Sequence, residues 1–211
     1  GLGDVYKRQV YEVDGAAEGY AMYRVKQDWD QFGPKGVLQV TDTVAVTSRA
    51  LRAVWRYIFD IDLVKTVKAY HLAAPNPLQQ VLAEPRALGF VINDGLWARI
   101  VDLPGALRAR RYATTDSLVL DVSDGFCAWN EGRWRISTSG QSGNAAATVE
   151  PTTDAADLAL DTTDLAAAYL GGSRVLDLSL AGRIRELTPG AVIRAHALFT
   201  YGREPWCNSM F

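Results

Sequence analysis

The stretch SLVLDVSDGFCAWNEGRWRISTSGQSGNAAATVE, residues 117–150, decides the fold of the second half of the chain. Within it, SLVLDV, GRWRI and AAATVE are short runs of strand-forming composition, and the segments between them are rich in Gly, Asn, Asp and Ser. Runs bounded by such turn-forming residues are typical of strands joined by hairpins. The stretch therefore predicts three strands of an antiparallel sheet.

The pattern on either side of these strands is helical. Three segments downstream each begin with Ser or Thr, which cap helix N-termini: TDLAAAYLGG (163–172), SRVLDLSLAG (173–182) and TPGAVIRAHALF (188–199). Upstream, PGALRARRY (104–112) predicts a helix with Pro104 in its first turn. Strands followed by segregated helices predict an α+β domain over residues 94–211.

The first part of the chain predicts a separate sheet with one helix. Four runs have the composition of strands: VYEV (10–13), YAMYRV (20–25), VLQVTDTVAV (37–46) and LVKTVKAY (63–70). We expect an irregularity in the third strand near Asp42. A helix capped by Thr47 or Ser48 is predicted to run to about Phe59. Residues 10–93 thus form a partial α/β unit in this interpretation.

The composition of the chain limits which class of protein it can be and which partners it can bind. The chain has 211 residues, of which 48% are hydrophobic and 22% charged, as in soluble globular proteins. Its net charge is −2 and no basic stripe is present, so we expect no nucleic-acid partner. No apolar run approaches the roughly 20 residues of a membrane helix, so we expect no membrane insertion.

The cysteines and histidines have no metal-binding spacing. Cys127 and Cys207 lie far apart in sequence, and His71 and His196 are isolated from them. We therefore expect no metal. Reduced thiols in a cytoplasmic protein are the favoured interpretation, and a disulfide between the two cysteines is the alternative.

The N-terminal segment DVYKRQ, residues 4–9, resembles the translation of a transposase end sequence used in preparing sequencing libraries. We therefore expect residues 1–9 to be an adapter artefact, with an unknown length of the natural protein missing upstream.

Two features could carry chemistry. The strand-to-helix junction VAVTSRA (44–50) has no glycine, so we expect no phosphate cradle there, because side chains would block the approach of a pyrophosphate. Most aspartates fall at predicted element ends, where capping and turns explain them.

The second feature is the apolar tail PWCNSMF (205–211). Burial of Trp206, Met210 and Phe211 would tie the terminus down and would bury the terminal carboxylate with it. Such a carboxylate is either a packing anchor with an ion partner or a catalytic group.

Six collinear segments together resemble the C-terminal half of the enhanced intracellular survival family of GNAT acetyltransferases: VWRYIFDIDLVKTV (54–67), DGLWARIVDLPGALRARRY (94–112), LVLDVSDGFCAWNEGRWRI (118–136), DLALDTTDLAAAYLGG (157–172), AGRIRELTPGAVIRAHALF (181–199) and PWCNSMF (205–211). The resemblance implies a partial, degenerate second GNAT region over 10–93 and a sterol-carrier-protein-like α+β domain over 94–211. It also implies a preceding GNAT domain that binds acetyl-CoA and is absent from this chain.

The resemblance further implies an activity and its residues. Family members transfer an acetyl group from acetyl-CoA to amines, including aminoglycosides and lysine side chains, and form hexamers; some relatives are secreted. The C-terminal carboxylate is the general base, a role that falls here on Phe211. Met210 stands where family tails often carry an acidic residue, so a second negative charge is missing.

Two further residues and one alternative function remain open. Asp94 and Trp97 are expected to line the amine pocket, with ordinary strand packing as the alternative for both. The fragment alone is expected to be inactive. The competing interpretation is a non-catalytic module that binds lipid or supports an oligomer, for which an empty apolar cavity would be required.

Overall fold

The computed structural model describes residues 6–93, 95–202 and 204–207. The chain divides into two compact units, which are described separately. Among these residues, the first unit comprises 6–93 and Gly95 together with Trp206 and Cys207, and the second comprises the described residues from Leu96 to Pro205.

The first unit is a four-stranded sheet with one long helix. Its elements are β1 (Lys7–Val13), β2 (Ala16–Lys26), β3 (Trp29–Asp30), β4 (Gly33–Pro34), β5 (Gly36–Ala45), α1 (Ser48–Phe59), β6 (Val64–Ala69), α2 (Leu78–Val81) and a 3-10 turn (Pro85–Leu88). The strand order is β1-β2-β5-β6, and β3 and β4 form a small separate ribbon. The pairs β1/β2 and β2/β5 are antiparallel, whereas β5 and β6 are parallel.

Local sequence signals explain these elements. The Thr47 side chain accepts a hydrogen bond from the N–H of Ala50 and so caps α1, as predicted. The expected irregularity in β5 is also confirmed, because the pairing with β2 shifts so that Tyr23 faces Val40 but Met22 faces Asp42. Apolar side chains between the sheet and α1 make up the core of this unit: Ala21, Tyr23, Leu38, Val40, Val54, Trp55, Ile58 and Leu78.

The start of β1 falls within the predicted adapter segment. Lys7, Arg8 and Gln9 pair with Tyr23, Met22 and Ala21 of β2. Main-chain pairing can be made by almost any sequence on an open sheet edge, so it does not test where these residues come from. The artefact remains a prediction.

Gly36 lets β5 begin close to the main chain that leads into its parallel neighbour β6. A Cβ atom at this position would collide with the carbonyl oxygen of Leu63, which is backbone and cannot swing away. We expect Gly36→Ala to destabilise the first unit by about 3 kcal/mol through overpacking. Thermal unfolding measures the effect. Gly95→Ala is the control, because a Cβ there meets nothing within 4 Å, and equal stability of the two variants would refute the close approach.

The second unit contains a five-stranded sheet and four helices among its described residues. Its elements are α3 (Leu103–Ala109), β7 (Ser117–Ser123), a 3-10 turn (Ala128–Asn130), β8 (Gly132–Ser139), β9 (Ala146–Pro151), β10 (Leu158–Asp161), α4 (Thr162–Tyr169), α5 (Val175–Leu180), β11 (Ile184–Glu186) and α6 (Ala191–Phe199). The strand order is β11-β10-β7-β8-β9. The predicted antiparallel run is confirmed as β7, β8 and β9.

The expectation of antiparallel strands followed by helices alone is wrong in one respect. Two strands lie among the helices, and β10 pairs with β7 in parallel, with Leu158 opposite Leu120 and Asp161 opposite Ser123. β11 then pairs antiparallel with β10. These strands have four and three residues, too few to establish a period-two pattern, and β10 runs straight into the cap of α4.

Candidate functional site

In the first unit, the pairing between the parallel strands β5 and β6 stops before β5 itself ends. Pairing runs from Gly36 opposite Val64 to Val40 opposite Ala69, and the N–H of Tyr70 still donates to the carbonyl of Val40 at 3.3 Å. Beyond this pairing β5 continues to Ala45. Open α/β sheets bind ligands outside the carboxyl ends of their strands. The candidate site of the first unit therefore lies at this edge, which we call the β5–β6 edge.

A tyrosine and a carboxylate lie on the extension of β5. The hydroxyl of Tyr20 donates a hydrogen bond to Oδ2 of Asp42 at 2.5 Å, and this bond raises the pKa of Tyr20. The shift in register beside Asp42 releases Thr41, whose Oγ1 donates to the carbonyl of Met22 at 3.1 Å. The pair is half-buried, so it places a hydroxyl and a carboxyl group at this edge of the sheet.

A carboxylate of the protein itself lies beside the N-terminus of α1, where it binds two side chains of the first turn and its cap. Glu18 accepts hydrogen bonds from Thr47 Oγ1 at 2.7 Å and from Arg49 Nη2 at 2.8 Å, and these two partners lower its pKa. A helix N-terminus attracts anions. Because Glu18 already supplies the anion, a phosphate would have to compete with it. This geometry agrees with the absence of a glycine turn at 44–50.

The described part of the tail is held by a hydrogen bond more than by burial. The indole N–H of Trp206 donates to the carbonyl oxygen of His71 at 2.7 Å, just beyond the end of β6. Trp206 remains 46% exposed, so the expectation that its burial ties the tail down is met only in part. Met210 and Phe211 lie outside the described residues.

Of the predicted site residues, one is described. Trp97 lies in an irregular segment of the second unit and is 85% exposed. Strand packing, the alternative for this side chain, is therefore wrong for Trp97. Asp94 and Phe211 lie outside the described residues, and the roles of all three remain predictions.

The second unit contains a buried polar cluster that sequence analysis treated as an ordinary turn. Asp124 is 2% exposed and accepts hydrogen bonds from the N–H groups of Phe126 (3.0 Å) and Cys127 (2.8 Å), from Asn130 Nδ2 (3.0 Å) and from Arg99. Burial by itself would raise the pKa of Asp124, but the bonds from Asn130 and the two backbone groups outweigh it and hold the pKa well below its usual range.

This cluster joins the segment that carries Trp97 to the loop after β7. The side-chain oxygen of fully buried Asn130 accepts from the N–H of Leu103 at 3.0 Å, and the indole of Trp129 donates to the carbonyl of Val101 at 2.8 Å. Because the oxygens of Asp124 are all engaged, we interpret the cluster as structural. The prediction that aspartates at element ends serve turns and caps is confirmed for Asp124 and for Asp161, which caps α4.

Asp164 is a second buried carboxylate, with a different environment. It is 5% exposed in the first turn of α4, and it forms an ion pair with Arg183, whose Nε lies 2.5 Å from its Oδ1. Burial raises the pKa of Asp164, against the opposing charge of Arg183. No sequence signal separated this residue from the neighbouring capping residues.

The interior of the second unit offers little room for a lipid. The hollow described in its core has a volume of about 10 Å³, close to that of one water molecule. Apolar side chains fill the remaining space, including Leu120, Leu160, Leu165 and Phe199. Pockets for ligands of this class usually span ~300 Å³ or more. The lipid-binding alternative therefore finds no support in the described core.

Two family models match the chain, one for each of its units. A family model for the acetyltransferase (GNAT) domain matches residues 3–100, and one for the sterol carrier protein domain matches residues 103–208. Since the second match covers half of the chain, the chain belongs to the sterol carrier protein domain family, with a GNAT domain at its N-terminal end. Because the GNAT match runs from residue 3 to residue 100, it does not support the expectation that residues 10–93 are only part of a GNAT region.

Proteins that are named N-acetyltransferases are similar to this chain along most of its length. An uncharacterized N-acetyltransferase of Streptomyces avermitilis is 41% identical over 197 residues, which is 93% of this chain and 47% of that protein. N-acetyltransferase Eis of Mycobacterium tuberculosis is 34% identical over 187 residues, 86% of this chain and 42% of Eis. The crystal structure of Eis1 from Mycobacterium abscessus has a TM-score of 0.74 at 29% identity, covering 99% of this chain and 51% of that one.

The chain thus spans about half the length of the relatives it matches. None of the helices in the described ranges has the length and apolar character needed to cross a membrane. Within the same ranges, His, Cys, Asp and Glu side chains form no group of three or more that could hold a metal ion.

Proposed function

We propose that this chain is the C-terminal half of a longer N-acetyltransferase that moves the acetyl group of acetyl-CoA to an amine. The observation that carries the proposal is the GNAT match over residues 3–100, together with the similarity to a protein that is named an N-acetyltransferase. Aminoglycosides and lysine side chains are the proposed acceptors, by analogy with the family that the sequence resembles. A cytoplasmic hexamer is the proposed assembly on the same ground.

Acetyl-CoA is bound outside this chain in the proposed enzyme. The start of α1 lacks a glycine turn, and Glu18 already occupies it through Thr47 and Arg49. A pyrophosphate would meet a carboxylate there instead of free amide groups. The first unit is in this sense a degenerate GNAT region whose helix terminus no longer binds the donor.

The terminal carboxylate of Phe211 is the proposed general base, which takes a proton from the attacking amine. An α-carboxyl group has an ordinary pKa of about 3.5 and is a weak base at neutral pH. Burial among apolar tail residues would raise that pKa towards the useful range. Trp97 is the proposed partner for a cationic amine, since its exposed indole face can make a cation–π contact, and Asp94 is the proposed counter-charge.

Moving the terminal carboxylate in the natural gene product tests the proposal. Two glycines added after Phe211 displace the carboxylate by up to about 7 Å, and we expect kcat for acetyl transfer to fall by roughly 10²- to 10⁴-fold, the usual contribution of a general base. Phe211→Leu is the matched control, because it keeps the terminal carboxylate in place. Undiminished transfer by the extended protein would remove the carboxylate from the mechanism.

Isothermal titration of the 211-residue chain with acetyl-CoA tests the location of the donor site. We expect no measurable binding, because Glu18 fills the helix terminus. Measurable affinity would place a donor site in this chain and refute that part of the proposal.

A further inference from the structure

We propose that the second unit binds a lysine-rich segment of a protein partner at an exposed surface of aromatic rings and carboxylates. Five residues form this surface, which we call the 101–131 surface: Val101, Asp102, Phe126, Trp129 and Glu131. Aromatic faces and carboxylates both attract organic cations. The inference goes beyond the proposed function, because binding at this surface requires no acetyl transfer.

Hydrogen bonds hold the two segments of the 101–131 surface together. The indole N–H of Trp129 donates to the carbonyl of Val101 at 2.8 Å. The N–H of the residue after Asp102 donates to Oδ1 of Asn130 at 3.0 Å. Asp102 therefore lies between two bonded positions of its segment, and Glu131 directly follows Asn130 in the other. Both carboxylates are thus held close to the Trp129 ring.

The rings of this surface project into solvent, although the residues beneath them are buried. Trp129 is 66% exposed and Phe126 is 79% exposed. Their supports are the fully buried Asn130 and the buried carboxylate of Asp124, which accepts from the N–H of Phe126 at 3.0 Å. Neighbouring exposed rings on a fixed base provide apolar area that a partner can cover without first ordering the loop.

The 101–131 surface already binds one cation of the chain itself. The Cζ atom of Arg99 lies 4.8 Å from the centre of the Phe126 ring, and the same guanidinium pairs with Asp124. The charge of Arg99 is therefore balanced within the fold. In the described part of the chain, no arginine or lysine lies over the ring of Trp129 in this way. That ring has a face available to a cation from a partner.

The two carboxylates give this surface an unbalanced negative charge. Oδ1 of Asp102 accepts a hydrogen bond from the N–H of Gly105 at 3.0 Å, as the cap of α3. The side chains of Asp102 and Glu131 are both exposed, and among the described residues neither has an ion-pair partner. Their charge complements a partner that carries several positive charges, which gives the surface its specificity for basic segments.

The shape of the surface favours a peptide chain over a small polyamine. Sites for small molecules are concave and enclose most of the surface of the ligand. Phe126 and Trp129 instead stand out from the unit, so an extended chain can place successive lysine side chains across them. The aliphatic part of each lysine packs on the rings and on Val101, while its ammonium group meets a carboxylate.

Fluorescence anisotropy of a labelled peptide tests this binding to the 211-residue chain. The probe is a short peptide of alternating lysine and serine, blocked at both ends. We expect saturable binding that weakens several-fold as NaCl rises from about 50 to about 500 mM, because salt screens exposed charges. The same peptide with acetylated lysines is the control, and we expect it not to bind. Equal binding of the two peptides, or no saturable binding of the lysine peptide, would overturn the proposal.

Substitutions locate the binding on the chain. We expect Trp129→Leu to weaken binding roughly three- to thirtyfold through loss of the ring. Asp102→Asn, which keeps a capping side chain, and Glu131→Gln should each weaken it about two- to fivefold. Glu150→Gln is the matched control, because it removes an exposed carboxylate from β9 of the same unit and should leave binding unchanged. If the two charge variants bind as the control does, the peptide binds elsewhere and the surface is refuted. Displacement of the peptide by an aminoglycoside at the same concentration of amino groups would refute the preference for a chain segment.

Discussion

Arg110→Met is expected to lower the free energy of unfolding of the second unit by roughly 4 kcal/mol, because two helix ends lose their hydrogen-bond donor. Arg110 Nη1 donates to the carbonyl of Tyr169 at 2.6 Å and Nη2 to that of Phe199 at 3.2 Å. These are the last residues of α4 and α6, whose terminal carbonyls have no partner within their own helices. A cation at this end also complements the helix dipole.

Aromatic rings surround the same guanidinium. The Arg110 Cζ atom lies 4.7 Å from the ring centre of Tyr112, 5.0 Å from that of Phe199 and 5.6 Å from that of Tyr169. Each contact of this kind contributes about 0.5–2 kcal/mol, depending on how far it is shielded from water. Burial lowers the pKa of Arg110, but an arginine stays charged at any pH that the fold tolerates.

Two control variants separate the effect of the two hydrogen bonds made by the Arg110 guanidinium from the effect of its charge. Arg111→Met removes an exposed neighbouring arginine and should change stability by less than about 0.5 kcal/mol. Arg110→Lys keeps the charge but cannot reach both carbonyls at once, so we expect an intermediate loss. Urea denaturation of each variant measures the differences. Should Arg110→Met and Arg111→Met prove equally stable, Arg110 would not hold the helix ends.

Nothing in the local sequence distinguishes Arg110 from Arg108 or Arg111 in the run RARR. Its two carbonyl acceptors lie 59 and 89 residues away, so the interaction exists only after three helices have packed. The same limit applies to Trp206, whose acceptor His71 is 135 residues away. Contacts of this kind depend on tertiary structure, which the periodicity of the sequence does not encode.

Features fixed by neighbouring residues were predictable. The cap of α1 depends on Thr47 and the residues directly after it, and the hairpin of β1 and β2 depends on the turn at Asp14 and Gly15. By contrast, β10 obtains its strand conformation from pairing with β7, because Leu158–Asp161 is too short to specify a strand alone. The β5–β6 edge was missed for the same reason, since it requires β5 and β6 to be placed side by side.

Asp124→Asn and Asp164→Asn are expected to change stability in opposite directions, although both remove one negative charge from the same unit. Asp124 has a lowered pKa, so its ionised form stabilises the fold above the ordinary aspartate pKa of about 3.9, and this contribution is lost as the pH falls through the lower folded value. Asp164 has a raised pKa, so its ionised form destabilises the fold at neutral pH, and that penalty disappears on protonation.

The hydrogen bonds at each site give the expected size of the effect. At pH 7, Asp124→Asn puts an NH₂ group among donors from Phe126, Cys127 and Asn130, and we expect the unfolding midpoint to fall by roughly 10 °C. Asp164→Asn removes a buried charge whose partner Arg183 is half exposed and can return to water. We expect its midpoint to rise by a few degrees, on the order of 3 °C.

Thermal unfolding of both variants between pH 7 and pH 3 separates these contributions from the general effect of net charge, because each variant is the other's charge-matched control. The deficit of Asp124→Asn should shrink as the pH falls below about 4, since the unaltered protein then begins to lose the benefit that the variant already lacks. The gain of Asp164→Asn should vanish over the same range, because Asp164 is then protonated in both folded and unfolded chains. Two midpoints that shift in the same direction at pH 7 would mean that net charge, and not the local bonding of Asp124, controls the acid stability of this unit.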